Sequence, residues 1–180
     1  MGKFNVMVDL ETLSTRPNAA IVSIGAVEFN HEGFNEDNPF YEEIDLSYYD
    51  ETRYFDKNVE TIKWWMKQSE EVRQSLNGTM HLKSVLQMFS QWVKTNANGR
   101  SVRVWGNSSS FDNVILRVAY EHFGMTPPWK WWGDRCYRTV QNMFVQPYEH
   151  LGTSHNALDD AASQAAHLAK LCKKYGLKLN

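Results

Sequence analysis

The sequence predicts an α/β fold, a mixed sheet with helices on both of its faces. Three observations predict it. Apolar, β-branched runs crowd the first 45 residues, helical periodicity takes over from position 58, and one further strand interrupts the helices near position 102. The 180 residues are 42% hydrophobic and 13% aromatic, enough for a sizeable core, and a charged fraction of 22% argues against general disorder. No internal repeat or linker divides the chain, so residues 1–180 are read as one domain.

The first strand is expected over residues 4–9, where apolar and β-branched residues end at a carboxylate. Residues 20–29 form a second, largely buried strand and residues 39–45 a third. Arg16-Pro17-Asn18 supplies the turn that makes the first two a hairpin. Residues 58–67 and 70–76 are short amphipathic helices. Residues 82–93 are a stronger one, with Leu82, Val85, Leu86, Phe89 and Val93 at helical spacing. Residues 102–105 return to strand, and the polar loop Gly106-Asn107-Ser108-Ser109 follows. Helices are expected over 111–123, 137–144 and 156–174. The last carries Ala161, Ala165, Leu168 and Cys172 on one stripe, with alanines small enough to let it lie close to a sheet.

A formal net charge of −2 excludes a strongly basic protein that coats duplexes without specificity. Cys136 and Cys172 belong to no C-x-x-C pair, which argues against a disulfide framework and a cysteine zinc site. No apolar stretch of about 18 residues is present to span a membrane, and no secretory h-region is seen. A cytoplasmic protein without membrane contact is expected.

Three constellations carry chemistry. In Asp9-Leu10-Glu11-Thr12 the two acids lie two residues apart on a strand, so they share a face and could bridge a hard cation through oxygen. In Asn107-Ser-Ser-Ser-Phe111-Asp112 a carboxylate opens a helix, a place where acids also serve as ordinary caps. In His155-Asn-Ala-Leu-Asp159-Asp160 a loop histidine precedes an acid about one and a half turns into the last helix. His155 and Asp159 would also suit a plain helix start.

Taken in order, D-x-E-T, N-x-x-x-x-D and H-x-x-x-x-D resemble the DEDDh group of the DnaQ-like exonucleases. That family has a ribonuclease-H-like fold and includes polymerase proofreading exonucleases, oligoribonuclease and ribonuclease T. The resemblance covers the chain from Asp9 to Asp160. Thr61-Ile-Lys-Trp64-Trp65 makes it most like the compact exonucleases of phages and prophages. The spacing from Asn107 to Asp112 is one residue longer than in many proofreading members, which weakens the reading of Asn107 but not that of Asp112.

The resemblance implies a 3′→5′ exonuclease that releases nucleoside 5′-monophosphates from a free 3′ end with two ions, Mg²⁺ or Mn²⁺. Asp9, Glu11, Asp112 and Asp160 would hold them, with Asp9 bridging, Glu11 and Asp160 completing one site, and Asp112 serving the other. Four carboxylates about 5 Å apart repel by about 3 kcal/mol per pair at an effective dielectric near 20. Six pairs sum to roughly 20 kcal/mol, more than a domain's stability, so cations or protons must intervene. His155 would be the general base for the attacking water. The tyrosine of the related DEDDy branch is replaced by Asn156.

Substrate contacts are expected at Thr12, Asn107, Trp64 and Arg138. Thr12 could bond the terminal nucleotide or satisfy its hydroxyl on nearby backbone. Trp64 and Trp65 lie about 100° apart on a helix, so one could stack on a base while the other packs inside. Arg135 and Arg138 are candidates for phosphate. Trp129-Lys130-Trp131-Trp132 reads as a packing strand, and Lys173-Lys174 as solvated complements of a helix dipole. The rivals are a ribonuclease-H-like endonuclease and a non-catalytic nucleic-acid-binding module. DNA against RNA stays open, with the phage likeness pointing to single-stranded DNA or a 3′ overhang, and oligomeric state is not readable.

Overall fold

The computed structural model describes residues 2–179. Met1 and Asn180, the two ends of the expected domain, lie outside the described residues. β1 (Lys3–Thr12) is the central strand. It pairs antiparallel with β2 (Ile21–Phe29), and β3 (Phe40–Glu43) adds antiparallel beyond β2. On its other side β1 pairs parallel with β4 (Ser101–Gly106), and β5 (Asp134–Cys136) adds parallel beyond that. The order is therefore β3-β2-β1-β4-β5, the mixed sheet expected from the sequence.

The helices are α1 (Tyr48–Glu51), α2 (Val59–Trp65), α3 (Glu70–Arg73), α4 (Leu82–Ala97), α5 (Val114–His122), α6 (Tyr137–Gln141) and α7 (Ala157–Tyr175). Strand alternation decides which face each of them covers. Phe4, Val6, Val8 and Leu10 point to a core shared with Leu82, Leu86 and Phe89 of α4 and Ile115 and Leu116 of α5. Met7, Val27, Phe29 and Trp105 point the other way, against Ala161, Ala165, Leu168 and Leu171 of α7. Each fully buried Leu, Ile or Phe contributes about 1.5–3 kcal/mol. A one-residue slip of β1 would turn Asp9 and Glu11 into the core beneath α4, so packing fixes their register.

Several boundaries differ from expectation for identifiable reasons. β1 runs on to Thr12 instead of stopping at Asp9, because Glu11 still faces Ser23 and Thr12 faces Ile21 across a register irregularity. The helix expected from residue 111 begins as a π turn, Ser109–Asn113, before α5. Asn113 pins that turn by donating to the Val104 carbonyl (2.9 Å) and to Asp134 Oδ1 (3.0 Å).

The run from Trp129 to Trp132 is not a packing strand. Trp129 is buried, but Trp131–Gly133 is a 3₁₀ turn, and the strand starts only at Asp134. Trp131 and Trp132 are 72% and 55% exposed. Gly133 explains the turn: a Cβ there would lie 2.7 Å from the Val102 carbonyl oxygen, so the chain must cross the start of β4 at that point.

Candidate active site

Asp9 and Glu11 share the face of β1 that α7 covers, and each is only 8% exposed. The N-terminal end of α7 reaches them through Gly25. In the β ladder Gly25 sits opposite Asp9. A Cβ on Gly25 would lie 2.2 Å from the Ala157 carbonyl carbon and 2.3 Å from the Leu158 nitrogen. Backbone meets backbone there, and only glycine permits it. Asn156 caps α7 by accepting from the backbone nitrogens of Leu158 and Asp159. With the helix starting at Ala157, Asp160 lies in its first turn, earlier than the expected turn and a half.

The adjacent aspartates then part company. Asp159 turns back to the preceding loop, where it accepts from the Thr153 nitrogen at 2.7 Å. Asp160 turns to the acids on β1. One helical turn further on, Gln164 Nε2 donates to Asp9 Oδ1 at 2.8 Å. Asp112 arrives from the π turn after β4 and is 2% exposed, with the Ser108 nitrogen donating to its Oδ2 at 3.2 Å. Gly106 makes room for it, since a Cβ there would sit 2.9 Å from Asp112 Oδ2.

Four carboxylates from three distant segments thus converge, and their electrostatics agree. Burial, then Asp112, Glu11 and Asp160, raises the Asp9 pKa well above the usual carboxylate range, against the opposing bond from Gln164. Burial, then Asp160 and Asp112, pushes Glu11 to about 8. Burial lifts Asp112 to about 7, although the Ser108 nitrogen and the Arg138 charge pull it down. Acids held this way bind protons or cations, and an all-oxygen donor set suits a hard divalent ion.

His155 lies on the loop before α7, exposed, in the left-handed region at φ +67°. Its backbone nitrogen donates to Asp160 Oδ2 at 3.2 Å. Its ring stands edge-on to Trp64, with centroids 4.8 Å apart. Ligand atoms of His155, Glu11 and Asp160 lie within 4.8 Å of one another.

The expected substrate contacts fall on both sides of the acids. Trp65 is buried, and its Nε1 donates to the Thr12 carbonyl at 2.9 Å, leaving the half-buried Trp64 beside His155. The Thr12 hydroxyl donates to the Ser14 carbonyl at 2.7 Å, the backbone-satisfied alternative. Asn107 and Arg138 line a cavity of about 310 Å³ with Asp9, Leu10, Phe111 and Asp112. The Asn107 carbonyl accepts from the Arg138 nitrogen at 3.0 Å. Arg135 does not join them. It stands level with Trp105 on β5 and donates to the carbonyls of Trp132 and Asp134.

Two neighbours were not expected. Gln164 follows Asp160 by four residues, so helical spacing alone could have found it. His150 shares a short hydrogen bond, Nε2 to Asp160 Oδ1, at 2.5 Å. It lies ten residues upstream in an irregular segment, and no local pattern in the sequence announces it.

The family described as the Rv2179c-like 3′-5′ exoribonuclease domain matches residues 4–172. No match is found among curated protein sequences. Similar solved structures include cell-death related nuclease 4, at TM-score 0.66 and 14% identity, with 95% of this chain and 64% of that one covered. The nuclease domain of 3′hExo, a DEDDh member bound to rAMP, is similar at TM-score 0.66 and 14% identity, covering 98% and 96%. A zinc-bound complex of E. coli exonuclease I with single-stranded DNA is similar at 0.67 and 14%, covering 97% and 41%. The chain thus spans about two fifths of exonuclease I and nearly all of the 3′hExo domain. The ribonuclease-H-like fold expected from the motifs is the fold of these neighbours. No helix among the described residues is long and apolar enough to cross a membrane.

Proposed function

This chain belongs to the family of Rv2179c-like 3′-5′ exoribonuclease domains, and from that premise we propose that it hydrolyses the terminal phosphodiester of a single strand with a free 3′ end. One observation carries the reading. Asp9 and Glu11 of β1 meet Asp112 and Asp160 from two distant segments, close enough that Asp112 and Asp160 raise the pKa of both β1 acids, in a site bordered by the exposed His155.

The four acids would hold two divalent cations, Mg²⁺ or Mn²⁺. When bound, these supply the positive charge that stabilises the attacking and leaving oxygens. The chain's own groups do the rest. His155 takes the proton of the attacking water through its ring nitrogen, which its loop leaves open to solvent. Gln164 and His150 orient Asp9 and Asp160 through the hydrogen bonds they make to them. Trp64, beside His155, presents a ring to the terminal base. Arg138 and Asn107, which line the cavity beside Asp9 and Asp112, receive the phosphate of the neighbouring nucleotide on its 5′ side. The product is a nucleoside 5′-monophosphate.

The family description favours RNA, while the exonuclease I complex has single-stranded DNA on the same fold. The shared requirement is a single strand with a free 3′ end. Matched 3′-labelled RNA and DNA oligonucleotides, incubated with Mn²⁺ and separately with EDTA, test the reading and rank the two strands. Release of the label as a mononucleotide in Mn²⁺ alone is expected. Internal fragments, or intact strands of both kinds in Mn²⁺, would overturn it.

A further inference from the structure

Trp131 and Trp132 are large apolar side chains that the fold does not use. Of the three tryptophans in this run, Trp129 is buried and donates to Asp134 Oδ1 at 2.7 Å, while the other two stand 72% and 55% exposed. Their rings are 5.6 Å apart at an interplanar angle of 85°, so they offer faces in two directions.

Their surroundings are cationic. Lys130 is exposed next to them. Arg135 is tied to the same turn, donating to the Trp132 carbonyl at 2.9 Å, and Arg103 is near enough to act on the Arg135 charge. Asp134, the acid of this segment, also attracts the Arg135 charge, but its oxygens are bonded to Arg117 at 2.9 and 3.1 Å and to Asn113 and Trp129. In a chain of net charge −2, aromatic faces among lysine and arginine fit a polyanion whose bases stack. An apolar protein partner has no use for the charges.

The patch lies at the start of β5, and the active site lies beyond the other end of that strand. From it the chain runs up β5 to Arg138, which lines the cavity beside Asp112. Trp132 and Arg138 are six residues apart, so their Cα atoms are separated by at most about 20 Å. A stacked strand advances about 3.4 Å per nucleotide, so roughly six nucleotides cover that distance, and fewer if extended.

We propose that Trp131 and Trp132 form a stacking platform for the single-stranded nucleic acid upstream of the 3′ end, a few nucleotides from the bond that is cut. This rests on the exonuclease reading above. Short substrates would not reach the platform, and longer ones would be held by it without regard to sequence. The site therefore acts on substrate affinity and leaves the chemical step alone.

The test compares the wild type with a W131A/W132A double variant and its conservative W131F/W132F counterpart. Steady-state kinetics are measured on a trinucleotide and on a strand of about a dozen nucleotides, as RNA and as DNA. Stacking on one aromatic ring is worth roughly 5- to 150-fold in affinity. The alanine variant should therefore raise KM on the long strand by about tenfold or more and leave kcat unchanged. Its trinucleotide kinetics should match the wild type, and the phenylalanine variant should keep most of the long-strand affinity. An unchanged long-strand KM, or an equal loss on both lengths, would overturn the proposal. So would a dimer that the alanine variant dissolves, which would assign the patch to a second copy of the chain. Binding of the long strand in EDTA, followed by tryptophan fluorescence, separates this proposal from the cleavage reading. Quenching that the double variant loses supports the platform even where no strand is cut.

Discussion

Gln164 Nε2 donates to Asp9 Oδ1 across 2.8 Å, joining the second turn of α7 to the central strand. With Asp9 ionised the amide must present its nitrogen, since turning it over would set Oε1 against the carboxylate. Charge-assisted bonds of this kind are worth about 1.5–3 kcal/mol, and lost partners of metal-holding groups cost roughly 10–100-fold. Gln164→Leu should weaken Mn²⁺ binding by about that factor, read by calorimetry, with the fold intact by circular dichroism. Gln164→Glu should be worse, because it adds a fifth acid to the cluster. Wild-type Mn²⁺ affinity in both variants would remove the orienting role.

The two histidines near Asp160 should separate by their effects. His155→Ala should lower kcat by about 10²–10⁴, the usual worth of a general base, while the Mn²⁺ concentration for half-maximal rate stays where it was. His150→Ala removes a bond to Asp160 and should instead shift that Mn²⁺ requirement upward, by about tenfold. A His155→Ala enzyme with normal turnover would move the base assignment elsewhere. Asp9→Ala should lose activity and ion binding together.

Ionisation of the buried acids should set the stability of the ion-free protein. Folding raises Glu11 from 4.5 to about 8 and Asp112 from 3.8 to about 7. The folded chain therefore holds protons that the unfolded chain has released. Each group's contribution is complete below its unfolded value and is lost as pH climbs through the folded one. In EDTA the melting temperature should fall between about pH 5 and pH 8. A change of 1 kcal/mol moves the midpoint of a domain this size by about 2–4 °C, so a drop of more than about 5 °C is expected. The stabilisation by added Mg²⁺ should grow over the same interval. A melting temperature that is flat or rising there contradicts the assignment.

Gly25 is the contact through which β2 admits α7. Alanine would bring its Cβ within 2.2 Å of the Ala157 backbone, so the helix start must move away from β1. Overpacking of this kind costs about 1–3 kcal/mol, and Asp160 moves with the helix. Gly25→Ala should lower the melting temperature by several degrees and reduce activity by more than that loss of stability explains. Full activity in a folded variant would mean the approach is not needed.

Much of this was legible in the sequence because it is local. Alternation on β1 put Asp9 and Glu11 on one face, and the capped, alanine-striped α7 was recognisable from its period and from Asn156. The motif spacing also singled out Asp160, the aspartate of the pair that turns to the acids of β1, though sequence could not say why Asp159 turns away. The reason is Thr153, whose nitrogen Asp159 caps.

What only the tertiary structure decided involves groups that local period does not connect. Nothing near His150 predicts its bond to Asp160, because the segment between them is irregular and its path is set by packing on α7. The three-residue β5 is too short to declare itself, and it forms because β4 offers an open edge. Trp129 and Trp131 look alike in sequence, yet one is enclosed by Phe89 and Tyr120 while the other faces solvent. Periodicity is a property of neighbours along the chain. Coverage depends on which distant element arrives, and that the chain settles only by folding.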